Sequence, residues 1–167
     1  GTIVCLPVLN VQGFVAQERY LPLSGRDLNR AFPGKQDSTS SNRIAYQIYT
    51  NFIEPCDFGL DFHTSTRGRT NMFHVRADMD NDNVARLARA FGTNLIIASE
   101  GKEGMLRHEA TKDGIPTISL EMGEAHRFER ELIDHALDGV RSVFTEYDIY
   151  DQGAVRCPEW RTVIEDW

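Results

Sequence analysis

Several large protein classes are excluded by what this chain lacks. It has only three cysteines, Cys5, Cys56 and Cys157, widely spaced and without a C-x-x-C pair. Neither a disulfide framework nor a cysteine zinc site is expected, and the thiols read as small buried groups in a reducing, cytoplasmic compartment. No apolar run approaches the ~20 residues that cross a bilayer, so no membrane partner is expected. Positive charge is in deficit, with 18 Lys and Arg against 25 Asp and Glu for a net −7. No basic cluster interleaved with aromatics offers a phosphate-tracking face, which argues against nucleic acid. G-x-S-x-G is missing, and with it the usual setting of a serine nucleophile; a P-loop and G-x-G-x-x-G are missing as well. There is no internal repeat. The chain has no initiator Met and runs at once into Ile3-Val4-Cys5-Leu6, so Gly1 is expected not to be the native start.

What remains is enough for one ordinary core: 167 residues, 41% of them hydrophobic and 10% aromatic. Strand-like and helix-like segments alternate. Thr2 to Leu9 is β-branched and reads as a buried strand, followed by a loop that lasts through Gly34. Ile44, Ala45, Ile48, Tyr49 and Phe52 recur at helical spacing after N-cap candidates at Ser38 to Ser41. A second helix is marked by Val84, Leu87, Ala88 and Phe91, closed by Gly92, and a buried strand by Asn94 to Ser99. The longest apolar stripe runs from Leu132 to Tyr147 and predicts a helix docked at the domain surface. This order implies an α/β domain over 1–150, built on an open sheet. Beyond Tyr150, Gly153, Pro158 and Arg161-Thr162-Val163-Ile164 predict that 151–167 is a linker entering the first strand of a further, β-rich element.

Two strands have chemically unequal faces. In Asp57 to His63, Phe58, Leu60 and Phe62 share one side while Asp57, Gly59, Asp61 and His63 share the other. In Pro116 to Gly123, Ile118, Leu120 and Met122 oppose Thr117, Ser119 and Glu121. Open α/β sheets bind ligands outside the carboxyl ends of their strands, where His63 and Glu121 both fall. A hydrolytic metal site needs N or O ligands and a carboxylate that takes a proton from water. His63 qualifies as a ligand and Glu121 as the base, with Asp61 placed to accept the other N–H of a metal-bound imidazole. The plain alternatives are a hydrogen-bonded histidine and a loop-capping acid. His126-Arg127-Phe128-Glu129 also has ligand spacing if helical, but Glu129 is equally well explained as a first-turn acid. His74, His108 and His135 have no partner spacing and read as surface or core residues.

Ser24 to Gly34 is turn-rich, and its adjacent Asn29 and Arg30 are expected to face an anionic ligand. Arg30 and Arg19 can fork onto a carboxylate and Asn29 can add a neutral donor; alternatively, Arg30 ties the loop down through backbone carbonyls.

Taken together, Arg19, Gly25-Arg26-Asp27-Leu28-Asn29-Arg30-Ala31-Phe32-Pro33-Gly34, Asp61-Phe62-His63-Thr64 and Leu120-Glu121-Met122-Gly123 resemble the succinylglutamate desuccinylase/aspartoacylase family of zinc carboxypeptidase-like hydrolases. The likeness extends over roughly Thr2 to Tyr150. It implies a zinc carboxypeptidase-like fold, with a mixed, mostly parallel sheet flanked by helices, and hydrolysis of the amide bond in N-acyl amino acids or related small molecules, with one Zn2+ as cofactor. By the same resemblance, Asn29 and Arg30 hold the substrate carboxylate and Arg19 polarises the scissile carbonyl. His63 is the last of three zinc ligands, and Glu121 acts on the zinc-bound water. The family's other two ligands lie in a His-Gly-x-Glu segment ahead of Thr2, which this sequence does not contain. The chain is therefore expected to be truncated at both ends and, by itself, a weak zinc binder and a poor catalyst. A carboxypeptidase of the same superfamily and a non-catalytic carboxylate-binding domain are the competing readings.

Overall fold

A computed structural model describes residues 1–150 and 155–165. The expected linker residue Gly153 lies outside the described residues. In chain order the elements are α1 (Val11–Ala16), a 3₁₀ turn (Leu28–Arg30), α2 (Ser40–Ile48), a π-helical turn (Tyr49–Ile53), β1 (Gly59–Ser65), β2 (Asn71–Ala77), α3 (Asp82–Phe91), β3 (Leu95–Ala98), α4 (Leu106–Lys112), β4 (Thr117–Glu124), α5 (Arg130–Glu146) and β5 (Thr162–Ile164).

The strands form one sheet in the order β1-β4-β2-β3-β5. The pairs β2–β3 and β3–β5 are parallel, and β2–β4 is antiparallel. β1 and β4 run the same way, since Gly59 N–H donates to the Pro116 carbonyl at one end and Ala125 N–H to the Ser65 carbonyl at the other. The sheet is thus mixed and mostly parallel, as the family resemblance implies.

The chain divides into two compact units, the first comprising Gly1–Thr2, Leu60–Glu100 and Thr117–Trp167, the second Ile3–Gly59 and Gly101–Pro116. In the first unit, α3 is set by local chemistry: the Asn81 side chain accepts the N–H groups of Asn83 and Val84, and Gly92 ends the helix in a left-handed conformation. Its buried face, Val84, Leu87, Ala88 and Phe91, packs on the sheet. The Phe91 ring lies edge-on to Phe62 at 6.3 Å and to Phe73 at 6.1 Å. α5 packs beside α3, joined by a hydrogen bond from Ser142 Oγ to the Ala90 carbonyl. His135 on α5 stacks against Phe73. Val75, Ile96, Ile118 and Leu120 are fully enclosed.

The second unit closes over Leu21, Leu28, Phe32, Ala45, Tyr49, Leu106, Ala110 and Ile115. Tyr49 is buried and donates its hydroxyl to Asp113 Oδ2 at 2.7 Å. Burial first, then this bond, pushes its phenol well above the ordinary range.

Several expectations are corrected. Thr2 to Leu9 forms no strand, and Ile3 and Val4 are more than half exposed. A β-branched run becomes a strand only against a partner, and among the described residues this one pairs with none. The stretch to Gly34 is not structureless: it holds α1, a bridge between Leu21 and Arg26, and the 3₁₀ turn. The cysteines are unpaired but not buried, with Cys5 and Cys157 exposed. Cys56 is half-buried, follows the π-helical turn and donates its thiol to the Phe52 carbonyl. No helix among the described residues is long and apolar enough to cross a membrane.

Candidate active site

One face of the sheet is apolar and covered by α3; the other carries the ionisable side chains. Phe62 meets Phe91, so Asp61 and His63 on β1 project to the face away from α3. On β4, Leu120 pairs with Val75 on the α3 side, leaving Ser119 and Glu121 on the same side as Asp61 and His63. β4 lies next to β1, so the sheet brings His63 and Glu121 onto one face of neighbouring strands. Both lie inside the carboxyl halves of their strands, which extend to Ser65 and Glu124, and not at the final positions.

His63 Nε2 and Asp61 Oδ2 are 2.7 Å apart. A carboxylate only accepts, so Nε2 carries the proton and the lone pair of a neutral ring sits on Nδ1. Asp61 is largely enclosed, its side chain 9% exposed against 31% for His63. This pairing fits one zinc-ligand position, Nδ1 of His63, oriented by Asp61. Among the described residues, no three or more His, Cys, Asp or Glu come together as a complete metal site.

Glu121 is engaged at both carboxylate oxygens. Asn71 Nδ2 donates to Oε2 at 2.8 Å, and Arg76 Nε lies 3.7 Å from Oε1. His74 is the register partner of Glu121 on β2. Its Nδ1 is 2.7 Å from the Met72 carbonyl, and its Nε2 accepts from Arg76 Nε at 3.3 Å. Burial pushes this imidazole below its ordinary value; the Met72 bond and Glu121 act the other way, and Arg76 adds to the lowering. Asn71 joins this face through a register irregularity between Asn71 and His74, where β2 spends one residue more than β4. Sequence reasoning missed Asn71, His74 and Arg76. The available signal was their position one loop after His63, but their facing depends on that irregularity.

The second unit holds Arg19, Asn29 and Arg30. Leu28 and Phe32 are buried on either side of the Asn29-Arg30 pair, so the stretch packs against a core of its own. Asp27 caps the 3₁₀ turn through the Asn29 N–H, and its other oxygen accepts from Arg19 Nε at 3.0 Å and Nη2 at 2.8 Å. Asn29 Oδ1 accepts the Leu106 N–H. Arg30 is exposed and donates from Nη1 to the Asn29 carbonyl. His126 and Glu129 are not on one helical face, because His126 adopts a left-handed conformation and Glu129 is the residue before α5.

Residues 1–147 match the Succinylglutamate desuccinylase/Aspartoacylase catalytic domain. The chain belongs to this family. Among curated proteins it is similar to the N-alpha-acetyl-L-2,4-diaminobutyric acid deacetylase of Halomonas elongata, at 24% identity over 95% of this chain and 48% of the relative. Among solved structures it is similar to the product-bound ectoine utilization protein EutE (DoeB) of Ruegeria pomeroyi, with a TM-score of 0.83, 22% identity, and coverage of 96% of this chain and 51% of that one. A succinylglutamate desuccinylase/aspartoacylase from Rhodobacter sphaeroides gives 0.80 at 21% identity, covering 92% of this chain and 47% of that one. The structural likeness establishes the shared fold. The chain spans about half the length of these relatives.

Proposed function

We propose that the intact protein is a zinc-dependent hydrolase of the amide bond in small N-acyl amino acids, acting in the cytoplasm. Family membership and the deacetylase name of the Halomonas elongata relative support the reaction class. His63 contributes Nδ1 to the metal, with Asp61 fixing its tautomer, and two further ligands come from sequence ahead of Gly1. Zinc, when bound, lowers the pKa of water toward ~7 and polarises the acyl carbonyl. Glu121 takes the proton of the attacking water at a carboxylate oxygen and delivers it to the leaving amine. Arg30 and Asn29 hold the substrate carboxylate and Arg19 acts on the scissile carbonyl, so that binding becomes alignment. With His63 as its one ligand, the chain alone binds zinc weakly and turns over poorly.

The observation that carries this reading is the shared face: a carboxylate-braced imidazole on β1 and a carboxylate on the neighbouring β4. In the full-length protein, Glu121→Gln is expected to retain zinc and lose nearly all turnover of N-acetyl and N-succinyl amino acids. Wild-type rates in that variant overturn the assignment of Glu121. A full-length protein without stoichiometric zinc supports a carboxylate-binding module instead, and cleavage of peptides in preference to N-acyl amino acids supports a carboxypeptidase.

A further inference from the structure

Glu121 has a different partner at each oxygen, and one of those partners is itself held from behind. Asn71 donates to Oε2, Arg76 stands by Oε1, His74 accepts from Arg76 Nε, and the Met72 carbonyl accepts from His74 Nδ1. We propose that Asn71 and Arg76 are positioning residues for Glu121, and that His74 is the buried brace that keeps Arg76 in place. The inference rests on the reading of Glu121 as the proton acceptor.

An arginine on a strand has several rotatable bonds, and a bond to a buried side chain narrows its aim. His74, a residue only 5% exposed, supplies that bond. The brace works only with neutral imidazole, because Nε2 needs its lone pair to accept from the guanidinium, and burial favours the neutral form. The direction of the Arg76 Nε bond also matters. Since Nε–H is directed at His74, and Nε is 3.7 Å from Glu121 Oε1, Arg76 brings positive charge to the carboxylate without a tight Nε–H bond that would occupy the proton-accepting lone pair. Asn71 restrains the other oxygen by a direct bond at 2.8 Å. The register irregularity in β2 forgoes regular ladder pairing, and its consequence is that Asn71, His74 and Arg76 all face Glu121. An apolar face would be cheaper to bury than these polar groups, which points to a task for them beyond holding β2 to β4.

The test uses full-length, zinc-loaded protein and a panel of N-acetyl and N-succinyl amino acids. Arg76→Ala is expected to lower kcat about 100-fold with KM and zinc content within about twofold, since misaiming a reacting group is felt in the chemical step. Small guanidinium compounds at millimolar concentration should restore part of that loss, and Arg76→Lys should fall between wild type and Arg76→Ala. Asn71→Ala is expected to cost about 10-fold in kcat. Carbon-13 NMR of the Glu121 carboxyl, recorded without zinc, should change from one ordered signal to an averaged one in Arg76→Ala, Asn71→Ala and His74→Gln. An unchanged Glu121 signal in these variants overturns the proposal whatever the turnover, and so does a kcat loss that follows melting temperature and KM without guanidinium rescue. If Arg76→Ala does not fold, Arg76→Lys and Asn71→Ala carry the same comparison. Wild-type turnover by Glu121→Gln removes the base assignment, while the NMR result still decides whether Asn71 and Arg76 order this carboxylate.

Discussion

Asn29 caps a helix distant from it in sequence: its Oδ1 accepts the Leu106 N–H, the first of α4, at 2.9 Å. Met105, at the position where a capping side chain would normally sit, supplies none. With its oxygen committed to α4, the Asn29 amide has two N–H donors left, and the proposed function assigns these to the substrate carboxylate.

The two roles of Asn29 separate by substitution. Asn29→Asp keeps an acceptor for Leu106 and should leave thermal stability nearly unchanged, yet it turns donors into a like charge and should raise KM for N-acyl amino acids at least about 10-fold in the full-length protein. Asn29→Ala should raise KM as well and cost about 1 kcal/mol of stability through the lost cap. Paired melting curves and saturation kinetics check both. Equal melting losses in the two variants would argue against the cap, and unchanged KM against the donor role.

Asp61 is expected to matter for metal and not for substrate. Asp61→Ala should weaken zinc binding about 10- to 100-fold in the full-length protein, measured by competition with a chromophoric chelator, with KM little altered at saturating zinc. Asp61→Asn, which still offers an oxygen to Nε2, should lose less. Undiminished zinc affinity in Asp61→Ala would remove Asp61 from the site.

Much of the sheet unit was legible because its signals are local. The Val84-Leu87-Ala88-Phe91 stripe and the Gly92 terminator belong to one helix, and alternation along Leu120-Glu121-Met122 decides which side chains face α3. β2 was not legible. Its register irregularity breaks alternation between Asn71 and His74, and register is a property of the pair with β4, not of either strand alone. α4 escaped for a similar reason, since its cap comes from Asn29. Thr2 to Leu9 misled in the opposite direction, having strand composition without a strand to pair with.

His74 makes stability depend on acid. Its folded value lies below the unfolded 6.5 because burial disfavours the charged ring, with Arg76 adding to this and Met72 and Glu121 opposing it. Between the two values the unfolded chain binds a proton that the folded protein refuses, so the stability contribution is complete above 6.5 and declines as pH falls below it. Urea midpoints at pH 5.5 and 7.5 should therefore differ less in His74→Gln than in wild type. An identical difference in both would show that other groups govern the acid limb.

Tyr49 does the same at the alkaline end. Its folded value lies far above the unfolded 10.0, so its contribution is complete below pH 10 and is lost as the unfolded phenol ionises above it. Tyr49→Phe removes the bond to Asp113 and should cost about 1.5–3 kcal/mol at neutral pH, as for a hydrogen bond to a charged group, while flattening the alkaline limb. Denaturant titrations at pH 7 and 10.5 measure both effects.

Gly104 links the α4 approach to Arg30. It has φ +84, and a Cβ there would stand 2.6 Å from the Arg30 carbonyl oxygen. Its carbonyl accepts the Phe32 N–H and its own N–H donates to buried Glu109, so it cannot move aside without breaking one of these bonds. Gly104→Ala should therefore cost about 1–3 kcal/mol and displace the Arg30 backbone, raising KM for N-acyl amino acids more than it lowers kcat in the full-length protein. Gly114 provides the control, because it has nearly the same φ, +86, with nothing within 4 Å of a Cβ. Gly114→Ala carries the backbone strain alone and should destabilise without changing KM. If both variants raise KM equally, strain in the second unit is the cause, and the contact between Gly104 and Arg30 does not set substrate binding.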